Sequence, residues 1–354
     1  MSNLQIGLAI AGGLVLLCVV VHSAWSARKN QPLLATPEAP AAEPLAQAAS
    51  DGLTERQEPS FDGDGDLGLL NNLSNMMAVD KKPGLDALID VIATIAVDTD
   101  VSGDAALSAM PATRRAGSKP FGVEGLNIAS KEWQLPSAGQ RYKAFQCGVQ
   151  LANRMGALNQ IEYSEFVMKT QAFADAIGGE PEFPEMAEEV ARARELDQFA
   201  SAHDAQLSFT LRALSTAWSP GYVVQNAARL GFVAGSIPGR MVLPASERGS
   251  APMLGLAFDT QAAMAEDPEQ TALREITLSL DVPQVARAEQ PFVRMRESAA
   301  ALSISMAGVV IDDNGNVITA DAMDVIGAEL EQLYDTLDER DLSAGSVLAR
   351  RLFS

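Results

Sequence analysis

Residues 276–283, ITLSLDVP, decide the fold class. Ile276, Leu278, Leu280 and Val282 alternate with Thr277, Ser279 and Asp281. That period of two belongs to a strand with one apolar and one polar face, and Pro283 stops it. Upstream, Leu207, Phe209 and Leu211 alternate in the same way with Ser208, Thr210 and Arg212, and Ser219-Pro220-Gly221 opens a helix. The arrangement occurs twice. Ile89, Val91, Ala93, Ile95 and Val97 alternate with Asp90, Ile92, Thr94 and Ala96, and Val101-Ser102-Gly103 opens a helical stretch. Asp86 to Gly103 is 17 positions, and so is Asp204 to Gly221.

Later elements correspond as well. Leu135-Pro136 and Leu243-Pro244 each lead toward a short strand, at 144–149 and 253–258. Each half then carries an amphipathic helix, 162–177 and 288–306, followed by glycines suited to a left-handed cap. A final helix follows in each, 184–199 started by Pro184 and 320–337 with Thr319 as N-cap. Val309-Val310-Ile311, Asn314-Gly315 and Val317-Ile318 read as a hairpin with a type I′ turn. The expected fold is α+β: two tandem copies, 86–200 and 204–340, of an antiparallel sheet with helices on one face and the other face open.

Residues 4–25, LQIGLAIAGGLVLLCVVVHSAW, contain no Asp, Glu, Lys or Arg. As a helix these 22 residues reach about 33 Å, enough for a hydrocarbon core of about 30 Å. Trp25 falls at the interface and Arg28-Lys29 follow, which puts the amino end outside and the rest in the cytoplasm. The competing reading is a cleaved signal peptide, but those carry their positive charge before a shorter apolar core. Residues 1–27 are therefore expected to be a single transmembrane anchor. Gly7-x-x-x-Ala11 permits close helix packing, a weak pointer to self-association. Residues 28–85, Ala/Pro-rich and then acidic, are expected to form a disordered tether. Asp62-Gly63-Asp64-Gly65-Asp66 imitates a calcium loop, but Leu67 and Leu73 stand where that loop needs Gly and Glu. Residues 341–354 read as a tail, with Arg350-Arg351 at a frayed end.

Of the 354 residues 47% are apolar, and 26 Lys+Arg against 46 Asp+Glu leave a net charge of −20. So acidic a chain is unsuited to nucleic acid, whose binders need cations to displace phosphate counterions, and to polybasic lipid-surface binding. The two histidines are His22, inside the apolar stretch, and His203; the two cysteines are Cys18 and Cys147. Ser-His-Asp and Cys-His catalysis have almost no raw material, and a multi-His metal site or disulfide framework has none. Gly235-Ser236-Ile237-Pro238-Gly239 carries its serine one position early for a nucleophile elbow. No catalytic residue, cofactor or metal is expected, and the chain does not read as an enzyme. Cys147, alternating with Phe145 and Val149, reads as a buried small hydrophobe.

The second copy resembles the C-terminal domain of the ZipA family, inner-membrane cell-division proteins of bacteria. The residues that carry the resemblance run in order: Gly231-Phe232 with Gly235, Gly249-Ser250-Ala251-Pro252, Thr277 to Pro283, and Gly308-Val309-Val310-Ile311-Asp312-Asp313 with Thr319. The resemblance covers about 204–337, and the plan of anchor, linker and C-terminal domain is also similar. It implies binding of the C-terminal tail of the tubulin-like GTPase FtsZ in a shallow groove on the open sheet face. It also implies tethering of FtsZ filaments to the membrane at the division septum. Carried over by position, the groove involves Ser208, Thr210, Ile237, Met241, Leu256, Phe258, Thr277 and Ser279. Ser279 stands where the family carries an aromatic, and Ser208 and Thr210 where it carries aliphatics. Phe258 reads either as a binding anchor or as a contact between the copies. The same fold binding a different cytoplasmic partner is the alternative.

Overall fold

The computed structural model describes residues 32–35, 84–247, 249–265, 267, 271–312 and 314–354. The expected anchor and most of the expected linker lie outside the described residues. Among the described residues, no helix is long and apolar enough to cross a membrane.

The first half starts as its alternation predicts. Strand β1 (Asp90–Ser102) buries Val91, Ala93 and Ile95, and Ser102 Oγ accepts the Ala105 N–H at 3.2 Å to cap α1 (Gly103–Ala109). The chain continues through β2 (Arg115–Ala116), β3 (Lys119–Asn127), β4 (Trp133–Gln134), β5 (Arg141–Gln150) and the small hairpin β6 (Ala152–Asn153) and β7 (Gly156–Ala157). Helix α2 (Gln160–Ile177) opens on a capping box between Asn159 and Glu162 and closes on Gly178, whose φ of 69° supplies the left-handed cap. Strand β8 (Gly179–Glu182) and α3 (Met186–His203) complete the half.

Register sorts the two faces of this sheet. Val91, Val149 and Phe121 form one row across β1, β5 and β3, and Ala93, Cys147 and Val123 the next. These rows face α2, where Phe145 and Phe173 meet edge-to-face at 5.5 Å and Phe121 lies 6.2 Å from Phe166. Each large apolar side chain so buried contributes about 1.5–3 kcal/mol. Cys147 is buried in the core as expected, and burial pushes its thiol up to about 12.

The second half repeats the elements with one more strand in line. It runs β9 (Gln206–Ala213), α4 (Pro220–Ala228), β10 (Val233–Ala234), β11 (Arg240–Leu243), β12 (Leu254–Ala257), α5 (Thr260–Ala263) and β13 (Glu275–Asp281). Then come α6 (Pro291–Ser305), β14 (Gly308–Ile311) and α7 (Ala320–Asp338), with Thr319 Oγ1 accepting the Ala322 N–H at 3.2 Å as the cap. Phe209, Leu211, Ile276, Leu278 and Leu280 pack against Phe292, Met295, Ala299 and Leu302 of α6.

In both sheets the strand before the long helix, β5 or β13, pairs antiparallel with the first strand, β1 or β9. The strand after that helix, β8 or β14, pairs antiparallel with the first strand's other edge. The sheet orders are β2-β3-β5-β1-β8, with β4 beside β3, and β10-β11-β12-β13-β9-β14. This corrects the expected strand matching. The strand that holds the place of residues 144–149 beside the first strand is β13, not 253–258, because β12 lies one strand further out.

Two local expectations are also corrected. Gly308 does not cap α6: the left-handed residue is Ala307 at φ 51°, and Gly308 instead makes room for Trp218, whose ring lies 3.1 Å from where a Cβ would stand. The turn before α7 is not type I′. Gly315, at φ 83°, donates its N–H to the Asp312 carbonyl at 3.0 Å, so the left-handed residue closes the turn.

Residues 341–354 are not a frayed tail. Helix α8 (Val347–Leu352) buries Leu352, and Phe353 is buried beyond it. Arg351 donates to Asp90 Oδ1 at 2.5 Å and to the Gly84 carbonyl at 3.0 Å, and Gln150 Nε2 donates to the Arg351 carbonyl at 2.8 Å. Gln284 Nε2 donates to the Phe353 carbonyl at 2.7 Å. The segment thus fastens the first half to the second. Arg154 adds a second fastening, bonding both carboxylates of Asp204 and Asp281 at 2.6–2.8 Å.

Candidate functional site

The face of the second sheet turned away from α6 is read from its register. One row crosses it as Val233, Val242, Gly255, Ser279 and Ser208, from β10 to β9. The next runs Arg240, Ala257, Thr277, Thr210 and Ile311. A third holds Glu275, Arg212 and Val309, with Arg212 Nε donating to Glu275 Oε1 at 2.6 Å. Most of these side chains are half-buried or exposed.

The middle of the face is shallow because its residues are small. A Cβ on Gly255 would fall 2.7 Å from Ser279 Oγ, so the glycine keeps the floor low there. Ala257, Thr277 and Thr210 continue that floor. Val233 and Val242 stand at one side and Val309 at the other, where Ile311 is buried. The result is a trough with aliphatic walls and a floor of methyls, hydroxyls and backbone, suited to an extended or helical peptide with modest apolar anchors.

Of the residues expected in the groove, Ser208, Thr210, Thr277 and Ser279 lie on this face. Met241 and Leu256 do not, and this is a correction. Leu256 stands opposite Leu278 and Met241, all three buried against the helices. Residues directly opposite in an antiparallel pair share a face, so Gly255 and Ala257 are the β12 residues that accompany Ser279 and Thr277. Phe258 follows β12, is partly buried against the same core, and donates its N–H to the Gly239 carbonyl at 2.9 Å. It therefore lies on the helix side rather than on the trough. Ile237 is exposed, in the turn between β10 and β11 rather than on a strand. The reading along the chain missed Val242, Gly255, Ala257 and Arg240; strand pairing was the signal that would have found them.

A second apolar groove lies at the sheet's β14 edge. Ala300, Ile304, Val309, Val317, Ile318 and Met323 line a space of about 550 Å³ between α6, β14 and the start of α7. Ile304 is 84% exposed there.

The open face of the first sheet differs in being filled. Ile92, Gly148 and Gly122 form a row across β1, β5 and β3. Leu85 lies over it, so close that a Cβ on Gly148 would fall 2.5 Å from Leu85 Cδ2. The Leu85 N–H donates to Glu124 Oε1 at 3.1 Å and the Asp86 N–H to Asp90 Oδ2 at 2.8 Å. The chain's own residues 84–86 occupy the position that the trough holds on the second sheet.

One polar cluster in the first half resembles a nucleophile and base. Ser118 Oγ donates to Glu162 Oε1 at 2.7 Å and receives Lys119 Nζ at 3.0 Å, and Lys119 also donates to Asn153 Oδ1 at 2.9 Å. Burial holds the Lys119 ammonium below its usual value, against the pull of Glu162 and Asp197. Burial works to raise the Glu162 carboxyl, but the Ser118 hydroxyl and N–H, the Asn159 N–H and Lys119 outweigh it and hold it low. Gly117, at φ 55° with Glu162 2.6 Å from its Cβ position, has no space for a side chain. The cluster locks the β2–β3 turn onto the N-terminus of α2, each charge partnered within the fold.

Fold and register together define an α+β domain with helices on one side of an antiparallel sheet and, among the described residues, a shallow face of small side chains on the other. The family comparison agrees. Residues 260–329 match the family model described as ZipA, C-terminal FtsZ-binding domain, and over that stretch the expected resemblance to the ZipA family holds. The match begins at α5 and takes in β13, α6, β14 and the first half of α7; β9, β11 and β12 lie outside it. No curated protein matches the chain.

Proposed function

We propose that this chain is a non-enzymatic cell-division protein of the bacterial inner membrane, which binds the C-terminal tail of FtsZ in the trough of the second sheet. An N-terminal anchor with its amino end outside would place both halves in the cytoplasm, tethering FtsZ filaments to the membrane at the division site. The first half, 86–200, is read as a divergent copy of the same unit, supported by the shared placement of the strands flanking the long helix. The observation that carries the proposal is the match of residues 260–329 to the FtsZ-binding family. Of the two open faces, the second suits a partner because Leu85 already fills the first.

The test is a titration of the FtsZ tail peptide against the chain and two variants. Ala257→Arg, on the trough floor, should abolish most binding, whereas Ile304→Arg, in the edge groove, should leave it intact. Truncating or blocking a buried anchor typically costs at least ~2 kcal/mol, about 30-fold in affinity. No effect of Ala257→Arg on a peptide that does bind would move the site off the trough. The second reading, a membrane scaffold with another cytoplasmic partner, is favoured by one observation: the floor is Gly, Ala, Ser and Thr, with no aromatic. Absence of FtsZ-tail binding to the unmodified chain would select it.

A further inference from the structure

Leu33 is built into the second half. Its N–H donates to the Ala217 carbonyl at 2.7 Å, and its own carbonyl accepts the Ser219 N–H at 2.9 Å. These bonds make a parallel bridge beside Trp218, which is bridged on its other side to Leu273. Trp218 is fully buried, with its indole N–H on the Met306 carbonyl at 2.7 Å. The Leu33 side chain packs on the core, and two residues on, Ala35 Cβ lies 3.8 Å from where a Cβ on Gly221 would stand in α4. Ser219, which takes the Leu33 carbonyl, is also the N-cap of α4. The contact is therefore continuous with the core, and it begins only eight residues after Trp25.

The chain meets the body again at the far side of residues 36–83. There Leu85 is seated on Gly148 and Gly122, and Arg351 holds the Gly84 carbonyl at 3.0 Å. Within the expected tether, both 32–35 and 84–86 are thus fixed on the body. We propose that Leu33 clamps the membrane-proximal chain to the second half, so that the start of α4 faces the lipid surface at short range and residues 36–83 contribute nothing to the reach. Eight residues extend to ~29 Å at most, whereas a free tether of residues 28–85 would average about 42 Å and stretch far beyond. This rests on the reading of residues 1–27 as an anchor.

The test uses the full chain in vesicles, with Cys18→Ser, Val224→Cys carrying a donor dye, and acceptor-labelled lipid headgroups. Val224 is exposed on α4, one turn beyond Gly221. A Gly/Ser insertion of about 20 residues, worth about 25 Å of mean reach, is placed either after residue 60 or after Arg28. Energy transfer should be unchanged by the first insertion and fall with the second. Adding Leu33→Asp should make the insertion after residue 60 lower transfer as well. A fall on the insertion after residue 60 alone would overturn the clamp. Failure of the chain to float with vesicles would instead overturn the anchor reading beneath it, and slow amide exchange at Leu33 in that protein would still report the clamp.

Discussion

Gly255 and Ser279 stand directly opposite each other on β12 and β13, on the face turned away from α6. Leu256 and Leu278, the next pair along, stand on the other. One residue's step along β12 therefore separates the proposed binding face from the core. Leu256→Asp should unfold the second half, since an unpaired carboxylate among buried aliphatics costs several kcal/mol. Gly255→Val should keep most of the fold and lose tail-peptide binding. Thermal midpoints beside peptide titrations check both, and a well-folded Leu256→Asp variant would contradict the register.

Asp90 gives a prediction with a sign. Burial raises its carboxyl above the usual value, while the hydrogen bond and charge of Arg351 pull the other way. A carboxyl raised on folding favours the folded state when protonated, so its contribution falls as pH rises through the folded value. Removing Arg351 leaves the charge buried without its partner, which typically costs about 3–5 kcal/mol. Arg351→Ala should therefore destabilise most at neutral pH and recover in part toward acid. Denaturant melts at a series of pH values test this; a uniform loss would assign the effect to packing alone.

Glu162 titrates the opposite way. Its carboxyl is held low in the folded state, so its contribution is full above the ordinary carboxylate range and is lost as pH falls through the folded value. In Glu162→Gln that acid-dependent part should vanish, and the gap in thermal midpoint between variant and parent should close as pH drops below about 4. A gap that stays constant would remove the carboxylate charge from the account.

Cys147 should be inert. With its thiol pushed up to about 12 and the side chain buried, almost none is thiolate at neutral pH. In a chain lacking residues 1–27 it is the sole cysteine, so a thiol reagent should label nothing until denaturant is added. Rapid labelling of the native protein would place Cys147 outside the core.

Much of the fold can be read locally. Alternation marks β1, β9 and β13, and Ser102, Ser219 and Thr319 cap the helices they precede. Alternation assigns residues to two faces without saying which face the helices cover. Leu256 and Met241 were expected on the open side by position in the family, and their short strands carry no polar alternation to contradict it; only pairing toward β13 does. Contacts such as Arg351 with Asp90 or Leu33 with Ala217 join residues far apart in the chain, each a side chain or edge meeting a specific site, and leave no periodic trace. Gly148 and Gly122 look like weak points in strands until Leu85 is seen resting on them.

The fastening by α8 also sets an order of events during synthesis. Asp90 is made 261 positions before the arginine that neutralises it, and Gln150 waits 201 positions for the Arg351 carbonyl. At ~5–20 residues per second, the first half spends tens of seconds outside the ribosome with a buried acid and an open seam. It cannot reach its final state alone, however early its strands pair. A chain cut short before residue 347 leaves Asp90 and Gln150 in the first half, and Gln284 in the second, without these partners.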